Sequence, residues 1–190
     1  MILLIDNYDS FSYNLVQMAG SIRSDIKVIR NDAMSVEEIR ELGPDHIILS
    51  PGPGYPKDAG ICETVVKELA GEIPIIGVCL GHQAICEVYG GTIAHARELM
   101  HGKQSEVELD IESPVFAGMN QKIKAARYHS LALKEETVPE ELKVIATTED
   151  GEVMAVEHRK YPVYGVQFHP ESILTPEGRK ILENFFLIGI

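Results

Sequence analysis

Apolar runs and longer amphipathic stretches follow one another along the first half of the chain. The apolar runs are rich in Ile, Leu and Val and are continuous, which is typical of strands buried on both faces of a sheet. The stretches between them have the spacing of helices that cover such a sheet. The predicted elements are strand 2–5, helix 11–22, strand 26–29, a capped helix from Ser35, strand 45–49, helix 59–70, strand 73–78 and helix 83–88. We therefore expect an α/β fold with a mostly parallel central sheet and helices on both faces.

The pattern changes after residue 90. Short strands separated by turn residues are predicted at 92–94, 105–109, 143–148 and 153–157, so we expect antiparallel strands added to the parallel core. A last apolar strand (163–168) and a C-terminal helix (175–187) complete the pattern. At 190 residues with 45% hydrophobic content, the chain is expected to form a single domain over residues 1–190.

Charge, cysteine content and the length of the apolar runs indicate which kinds of partner and compartment to expect. Lys and Arg number 17 against 29 Asp and Glu, a net charge of −12, so we expect no nucleic acid and no membrane surface as a partner. The three cysteines form no CxxC pair, which argues against a disulfide framework and a zinc ribbon. No apolar run approaches membrane-spanning length, and no basic region precedes the first one. We expect a cytoplasmic protein that acts on a small substrate.

The segment Gly77-Val78-Cys79-Leu80-Gly81, called the elbow below, joins a predicted strand directly to a predicted helix. Gly-x-Cys-x-Gly in this setting has the form of a nucleophile turn with cysteine in place of serine. The helix that follows directs its free N–H groups and positive dipole end at the sulfur, which favours the reactive thiolate. Cys79 is therefore the predicted nucleophile. The alternative is a buried cysteine that packs as a small hydrophobe.

A cysteine nucleophile needs a nearby base and a group that orients this base. His169 follows the last apolar strand, and Glu171 lies two residues further on. If that strand lies beside the elbow strand, His169 serves as acid and base, and Glu171 fixes its tautomer and stabilises the imidazolium. From spacing alone, His129 is the main alternative base. A His-Pro-Glu sequence by itself is also typical of a surface turn.

The sequence Ser50-Pro51-Gly52-Pro53-Gly54, called the Pro-Gly loop below, interrupts regular structure. Attack on an acyl carbon builds negative charge on oxygen, which backbone N–H groups stabilise. The N–H groups of Gly52 and Leu80 are the candidate donors. The loop lacks the Gly-Lys-Ser/Thr ending of a phosphate-binding loop, and its other interpretation is a simple turn.

These segments together resemble the class I (triad) glutamine amidotransferases, most closely the glutaminase subunits of anthranilate and aminodeoxychorismate synthases, whose fold is flavodoxin-like. The resemblance extends almost from end to end. It rests on segments 6–11 (DNYDSF), 50–54 (SPGPG), 77–83 (GVCLGHQ), 100–103 (MHGK), 128–131 (YHSL) and 165–172 (GVQFHPES). One departure is Gln104, where threonine is usual.

The resemblance implies a set of residue roles. Cys79 would attack the side-chain amide carbon of glutamine, and His169, oriented by Glu171, would protonate the departing ammonia and then activate water. Gly52 and Leu80 would form the oxyanion hole. His129 would lie beside the substrate rather than in the triad, and His82 would be a structural helix residue. The residues implied in glutamine binding are Gly52, Pro53, Gly54, Gln83, Ser130 and Leu131.

The resemblance also implies a partner. The ammonia would pass to a separate chorismate-binding synthase subunit (component I) in a hetero-oligomer, because no chorismate-binding domain fits within this chain. His101, Gly102 and Lys103 would lie at that contact, although such a loop is also typical of a solvated basic turn. No cofactor or metal is implied for this chain, while Mg²⁺ is expected in the synthase partner.

Three alternatives stay open from the sequence. The choice between an anthranilate and an aminodeoxychorismate synthase partner is undecided, and a subunit that serves both pathways is also compatible with the sequence. A γ-glutamyl peptide hydrolase would use a similar cysteine and histidine but would need no partner. A non-catalytic scaffold subunit would normally have lost a triad member, and Cys79, His169 and Glu171 are all present.

Overall fold

A computed structural model describes residues 1–189 of the chain. The strands are β1 (Ile2–Asp6), β2 (Ile26–Arg30), β3 (His46–Leu49), β4 (Ile75–Val78), β5 (Ile93–His95), β6 (Lys103–Leu109), β7 (Lys122–Arg127), β8 (Leu131–Leu133), β9 (Leu142–Thr148), β10 (Val153–His158) and β11 (Val163–Val166). The α-helices are α1 (Ser12–Ile22), α2 (Val36–Leu42), α3 (Cys62–Leu69), α4 (Leu80–Val88) and α5 (Gly178–Phe186).

Nine strands form one sheet in the order β2-β1-β3-β4-β11-β10-β9-β6-β7. The first five in this order are parallel to one another, and the other four are antiparallel additions. Strands β5 and β8 form a separate antiparallel ribbon. The predicted α/β architecture, with a parallel core and an antiparallel second half, is confirmed.

The parallel strands are buried on both faces, which explains their continuous apolar runs. Along β1, Ile2 and Leu4 belong to one hydrophobic core, and Leu3 and Ile5 belong to the core on the opposite face. The two cores fix the register of the sheet, because a slip by one residue would exchange the faces.

The register brings three carboxyl ends to one edge of the sheet. Val78 at the end of β4 pairs with Val166 at the end of β11, and Leu49 at the end of β3 pairs with Gly77. The Pro-Gly loop, the elbow and the segment from 167 onward therefore leave the sheet side by side. This edge is where functional groups of open parallel sheets usually lie.

Helix starts differ from the prediction at several places. Helix α4 begins at Leu80 rather than at 83, and α3 begins at Cys62 after a 3₁₀ turn at Pro56–Asp58. Helix α5 begins at Gly178 rather than at Thr175. The Thr175 hydroxyl donates to His169 O (2.7 Å) and accepts from Ala126 N (2.9 Å), which holds this residue in the preceding loop.

The starts of α1 and α2 are stabilised in different ways. A capping box is confirmed at Ser35, whose Oγ accepts from Glu38 N (3.1 Å) while the Glu38 carboxylate accepts from Ser35 N (2.7 Å). The polar turn before α1 does not supply a side-chain cap. Instead, Asp9 accepts from Phe11 N (2.9 Å), one residue before the helix.

Helix length bears on any membrane role. Helix α1, with 11 residues, is the longest in the described part of the chain, whereas about 20 apolar residues are needed to cross a bilayer. Within residues 1–189, therefore, no helix could span a membrane.

Candidate active site

Cys79 occupies a strained backbone position between β4 and α4. Its φ of 52° and ψ of −100° lie in a region that non-glycine residues rarely adopt. A Cβ on Gly77 would lie 2.3 Å from the Gly81 carbonyl carbon, and a Cβ on Gly81 would lie 2.5 Å from Leu49 O. Both flanking glycines are therefore required by close backbone approach. The elbow has the geometry that the sequence predicts.

The Cys79 sulfur has surroundings unlike those of the other two cysteines. Cys79 is 7% exposed and lies at the start of α4, and Gln167 Nε2 donates to its Sγ at 3.5 Å. Burial raises the pKa of the Cys62 thiol to about 12 and raises that of Cys86 further still. All three are free thiols. Cys79 lines a cavity and interacts with His169, whereas the Cys86 sulfur lies 3.9 Å from Nε2 of the fully buried His82.

His169 lies beside Cys79, as expected from the pairing of β11 with β4, and Glu171 contacts His169. His169 Nδ1 donates to Glu171 Oε1 at 2.6 Å, and both side chains are buried. Burial alone lowers the pKa of His169, but interactions with Cys79 and Glu171 outweigh it and raise the pKa to about 10. The remaining polar atoms, His169 Nε2 and Glu171 Oε2, are buried without a hydrogen bond to the described residues. They are available for chemistry with a substrate.

Two aromatic rings enclose the His169 imidazole. Tyr128 and Phe11 meet it edge to face, with ring centroids 5.2 Å and 5.8 Å away. A cavity of about 330 Å³ lies on this side, lined by these rings together with Asn14, Glu171 and Ile173. Tyr128 also lines the smaller cavity at Cys79, so it separates the two spaces.

The cavity at Cys79 has a volume of about 180 Å³. This is smaller than the roughly 300 Å³ at which drug-sized ligand pockets begin and suits a small polar molecule. All six residues predicted to bind glutamine line it, namely Gly52, Pro53, Gly54, Gln83, Ser130 and Leu131. Its walls are the Pro-Gly loop, the elbow and the 128–131 loop.

The two predicted oxyanion donors are neighbours. A Cβ on Gly52 would lie 2.8 Å from Leu80 Cδ2, 2.6 Å from Asn7 Cβ and 2.9 Å from Asn7 O. Asn7 holds the Pro-Gly loop in place, since its Nδ2 donates to Ser50 O and its backbone N–H donates to Ser50 Oγ, both at 2.8 Å. The loop can approach the elbow this closely only with glycine at position 52.

His129, the alternative base, has both ring nitrogens occupied. Arg127 Nε donates to His129 Nε2 at 3.1 Å, and His129 Nδ1 donates to Leu131 O at 2.9 Å. Burial and the Arg127 charge lower the pKa of His129 to about 4. His129 therefore lines the cavity as a neutral ring with no free nitrogen, whereas His169 Nε2 has no hydrogen-bond partner among the described residues. His82 is fully buried in α4, and burial lowers its pKa to about 3.

The segment predicted to contact a partner, His101-Gly102-Lys103, is exposed. Gly102 N donates to Arg127 O at 3.1 Å, and a Cβ on Gly102 would lie 3.2 Å from Tyr128 Cε1. The segment therefore lies at the surface next to the ring that separates the two cavities.

Sequence reasoning missed three polar residues at this site. Gln167 bridges Gln83 (3.1 Å) and the Cys79 sulfur, and Arg127 and Glu152 form a buried ion pair behind the 128–131 loop. The sequence could have indicated Gln167, because it is a polar residue within the apolar run at 163–168. Nothing in the sequence indicates a role for Arg127 or Glu152, since neither lies in a recognisable motif.

The model of the family "Glutamine amidotransferase class-I" matches residues 3–188. The chain belongs to the class I glutamine amidotransferases. It is thus an enzyme of glutamine-dependent amide transfer, and the matched region contains the elbow, the Pro-Gly loop and the His169–Glu171 pair.

Named relatives of this amidotransferase are closely similar over nearly its whole length. It is 51% identical to the aminodeoxychorismate/anthranilate synthase component 2 of Bacillus subtilis, with 97% of this chain and 95% of the relative covered. It is 50% identical to the anthranilate synthase component 2 of Pseudomonas aeruginosa, with 97% and 94% covered.

A solved structure supports the fold assignment. A Thermoplasma acidophilum protein, described as a candidate component of GMP synthase, superposes with a TM-score of 0.86 at 24% identity, covering 97% of this chain and 91% of that one. At this level of identity the likeness shows the fold alone, and it confirms the predicted flavodoxin-like class I architecture.

Proposed function

We propose that this amidotransferase is the glutaminase subunit of a chorismate-using synthase and that Cys79, His169 and Glu171 are its catalytic residues. The observation that carries the proposal is that His169 interacts with both Cys79 and Glu171, next to a small cavity that Cys79 lines. Cys79 lies at a strained strand-to-helix turn, His169 carries a carboxylate partner at 2.6 Å, and the cavity that Cys79 lines has room for a small amide.

The first step is attack of the Cys79 sulfur on the side-chain amide carbon of glutamine. A C–S bond forms, and the carbonyl oxygen takes negative charge that the N–H groups of Gly52 and Leu80 stabilise. His169 then gives a proton to the nitrogen as the C–N bond breaks, which releases ammonia and leaves a glutamyl thioester. The raised pKa of His169 supports this acid role, because the ring is protonated at neutral pH.

The second step is hydrolysis of the thioester. His169, now neutral, takes a proton from water, the water oxygen bonds to the acyl carbon, and the C–S bond breaks to give glutamate. Glu171 keeps the Nδ1–H tautomer throughout and stabilises the imidazolium each time it forms. No cofactor in this chain is needed for either step, and we keep Mg²⁺ as a proposal for the synthase partner.

The proposed acceptor of ammonia is a chorismate-binding subunit on a separate chain. The names of the relatives support this, since both include a synthase component 2. Ammonia is mostly protonated in neutral water and is then no nucleophile, so we propose that docking at His101-Gly102-Lys103 closes a path between the subunits. We favour anthranilate synthase, in tryptophan biosynthesis, as the assembly. The double name of the Bacillus relative supports a shared role in aminodeoxychorismate synthesis as the second candidate.

The compartment follows from the same proposal. We propose a cytoplasmic location, which the three free thiols support because disulfides form mainly in oxidising compartments.

Replacement of the nucleophile tests the proposal. Cys79→Ser should abolish glutamine-dependent synthesis by the complex while ammonia-dependent synthesis by the partner continues. Cys62→Ser is the matched control, since the new hydroxyl retains the hydrogen bond to Asn7 Oδ1 that the Cys62 thiol makes at 3.1 Å, and its glutamine-dependent rate should equal that of the wild type. Loss of both activities in Cys79→Ser would indicate a structural role and contradict the proposal.

The pathway is tested by reconstitution. The protein is mixed with an anthranilate synthase component I or an aminodeoxychorismate synthase component I, and the product formed from chorismate and glutamine is identified. The proposal predicts anthranilate with the first partner. Absence of glutamine-dependent product with either partner would rule out the chorismate assignment, while the glutaminase assignment would still rest on glutamate release.

A further inference from the structure

A buried ion pair next to the 128–131 loop has no part in the chemistry described so far. Arg127 and Glu152 are 3% and 5% exposed, and Arg127 Nη2 donates to Glu152 Oε1 at 2.7 Å. Removing two charges from water is costly, and such a pair often adds no net stability over an apolar one. The location of this pair beside the glutamine cavity therefore points to a role other than stabilising the fold.

The guanidinium of Arg127 is fixed by three partners. Besides Glu152, Nη1 donates to Ser105 Oγ at 3.2 Å, and Nε donates to His129 Nε2 at 3.1 Å. A planar guanidinium presents its donors in a rigid fork, so two contacts set the direction of the third. The N–H that reaches His129 is therefore held in place by Glu152 and Ser105.

Arg127 also selects the tautomer of His129. A guanidinium can only donate, so His129 Nε2 must accept and the ring proton must lie on Nδ1. Only this tautomer can donate to Leu131 O, as it does at 2.9 Å. The lowered pKa of His129 agrees with a ring that stays neutral beside the guanidinium.

The Leu131 carbonyl connects this arrangement with the nucleophile. The same oxygen accepts from Gln83 Nε2 at 3.0 Å, and Gln83 Nε2 also lies 3.1 Å from Gln167 Oε1. Gln167 in turn donates to the Cys79 sulfur. An unbroken series of contacts thus links the ion pair to one wall of the glutamine cavity and to the sulfur.

We propose that Arg127, held by Glu152, is a positioning residue for glutamine binding that acts by fixing His129 and the Leu131 carbonyl. This inference rests on the proposed glutaminase activity. Without Arg127, His129 can take the other tautomer, Leu131 O loses a donor, and the 128–131 loop loses an anchor. Arg127 lines neither cavity at the triad, so the effect falls on glutamine binding rather than on the chemical steps.

A double variant tests the proposal with the least damage to the fold. Arg127→Met combined with Glu152→Met removes both charges together and leaves no unpaired buried charge. The KM for glutamine should rise about tenfold, which corresponds to about 1.4 kcal/mol, while kcat changes much less. The matched control is Arg40→Met with Glu72→Met, which removes an exposed ion pair elsewhere (2.9 Å) and should leave both constants at wild-type values.

Two further readouts separate positioning from general stability. The glutamine concentration that half-protects Cys79 from alkylation measures affinity without turnover and should rise by the same factor. The ¹⁵N chemical shifts of His129 should show the Nδ1–H tautomer in the wild type and a mixture in the variant. Arg127→Lys is the second variant. It keeps the positive charge beside Glu152 but lacks the planar fork of donors, so it should also raise the KM for glutamine. If the double variant does not fold, Arg127→Lys tests the positioning role by itself.

The outcomes are distinct. Folded variants with wild-type KM and an unchanged His129 tautomer would overturn the inference, even if their melting temperatures fell. A wild-type complex that releases no glutamate from glutamine would instead overturn the proposed function itself.

Discussion

At the scale of single residues, the contacts of His169 with Cys79 and Glu171 determine the charge of this proposed catalytic base. His169 has a pKa raised to about 10 in the folded chain, above its ordinary value near 6.5. A raised histidine pKa stabilises the fold at pH values below about 6.5, and this contribution is lost as the pH rises through 10. Glu171 is thus expected to support activity, and its contribution to stability through His169 is expected to be greatest at acid to neutral pH and to fade as the pH rises towards 10.

Glu171→Gln should lower kcat by roughly 10²–10⁴-fold, because the tautomer of His169 is no longer enforced and its imidazolium is no longer stabilised. The pKa of His169, followed by NMR titration, should fall at the same time. Glu183→Gln is the control, since it changes an exposed glutamate paired with Arg179 and should alter neither quantity. An unchanged kcat in Glu171→Gln would show that Glu171 does not orient the base.

At the scale of elements, the close approach of the Pro-Gly loop to the elbow depends on one missing side chain. Gly52→Ala would bring a Cβ to within 3 Å of atoms of Asn7 and Leu80, so the loop must move away from the elbow. We expect a chain that still folds but has lost most of its glutaminase activity, measured as glutamate release. The reason is that Gly52 N–H is a proposed oxyanion donor, and removing such a donor costs about 10²–10³-fold in kcat.

Gly43→Ala provides the matched control for this prediction. Gly43 also has a left-handed backbone conformation, with φ of 64°, but a Cβ added there would meet nothing within 4 Å. It lies at the C-terminus of α2. It should cost about 1–2 kcal/mol of stability with normal activity. Equal activities of the two variants would contradict the steric argument for position 52.

The same scale shows what the sequence can reveal. The parallel strands could be predicted because both of their faces are apolar. The elbow could be predicted because its two glycines and its cysteine lie within five consecutive residues. Strand β7 was missed, since Lys122, Lys124 and Arg127 conceal its buried face. Arg127 is tolerated there because it pairs with Glu152, which lies 25 residues further along the chain. No local sequence pattern predicts a partner at that separation.

At the scale of the whole molecule, buried neutral histidines make the fold sensitive to acid. Burial lowers the pKa of His82 to about 3 and that of His129 to about 4, whereas an unfolded chain takes up these protons near pH 6.5. A lowered histidine pKa means that stability is complete above about pH 6.5 and is lost as the pH falls towards the folded value.

The free energy of unfolding, measured with urea at several pH values, should therefore fall from about pH 6.5 to about pH 5 by up to about 1.4 kcal/mol per pH unit for each of these histidines. The window stops at pH 5 because carboxylates titrate below it. His82→Asn should reduce this slope, whatever its effect on overall stability. A wild-type stability that stays flat over the window would mean that the histidines are not held neutral.

The covalent role proposed for Cys79 is tested most directly by mass spectrometry of the protein quenched in acid during glutamine turnover with its proposed synthase partner. Nucleophilic attack by Cys79 predicts a glutamyl thioester on Cys79, located by fragmentation because Cys79 and Cys86 lie on one tryptic peptide, and none on Cys62 or Cys86. An unmodified Cys79 in every quenched sample, or an adduct on either of the other two cysteines, would contradict it.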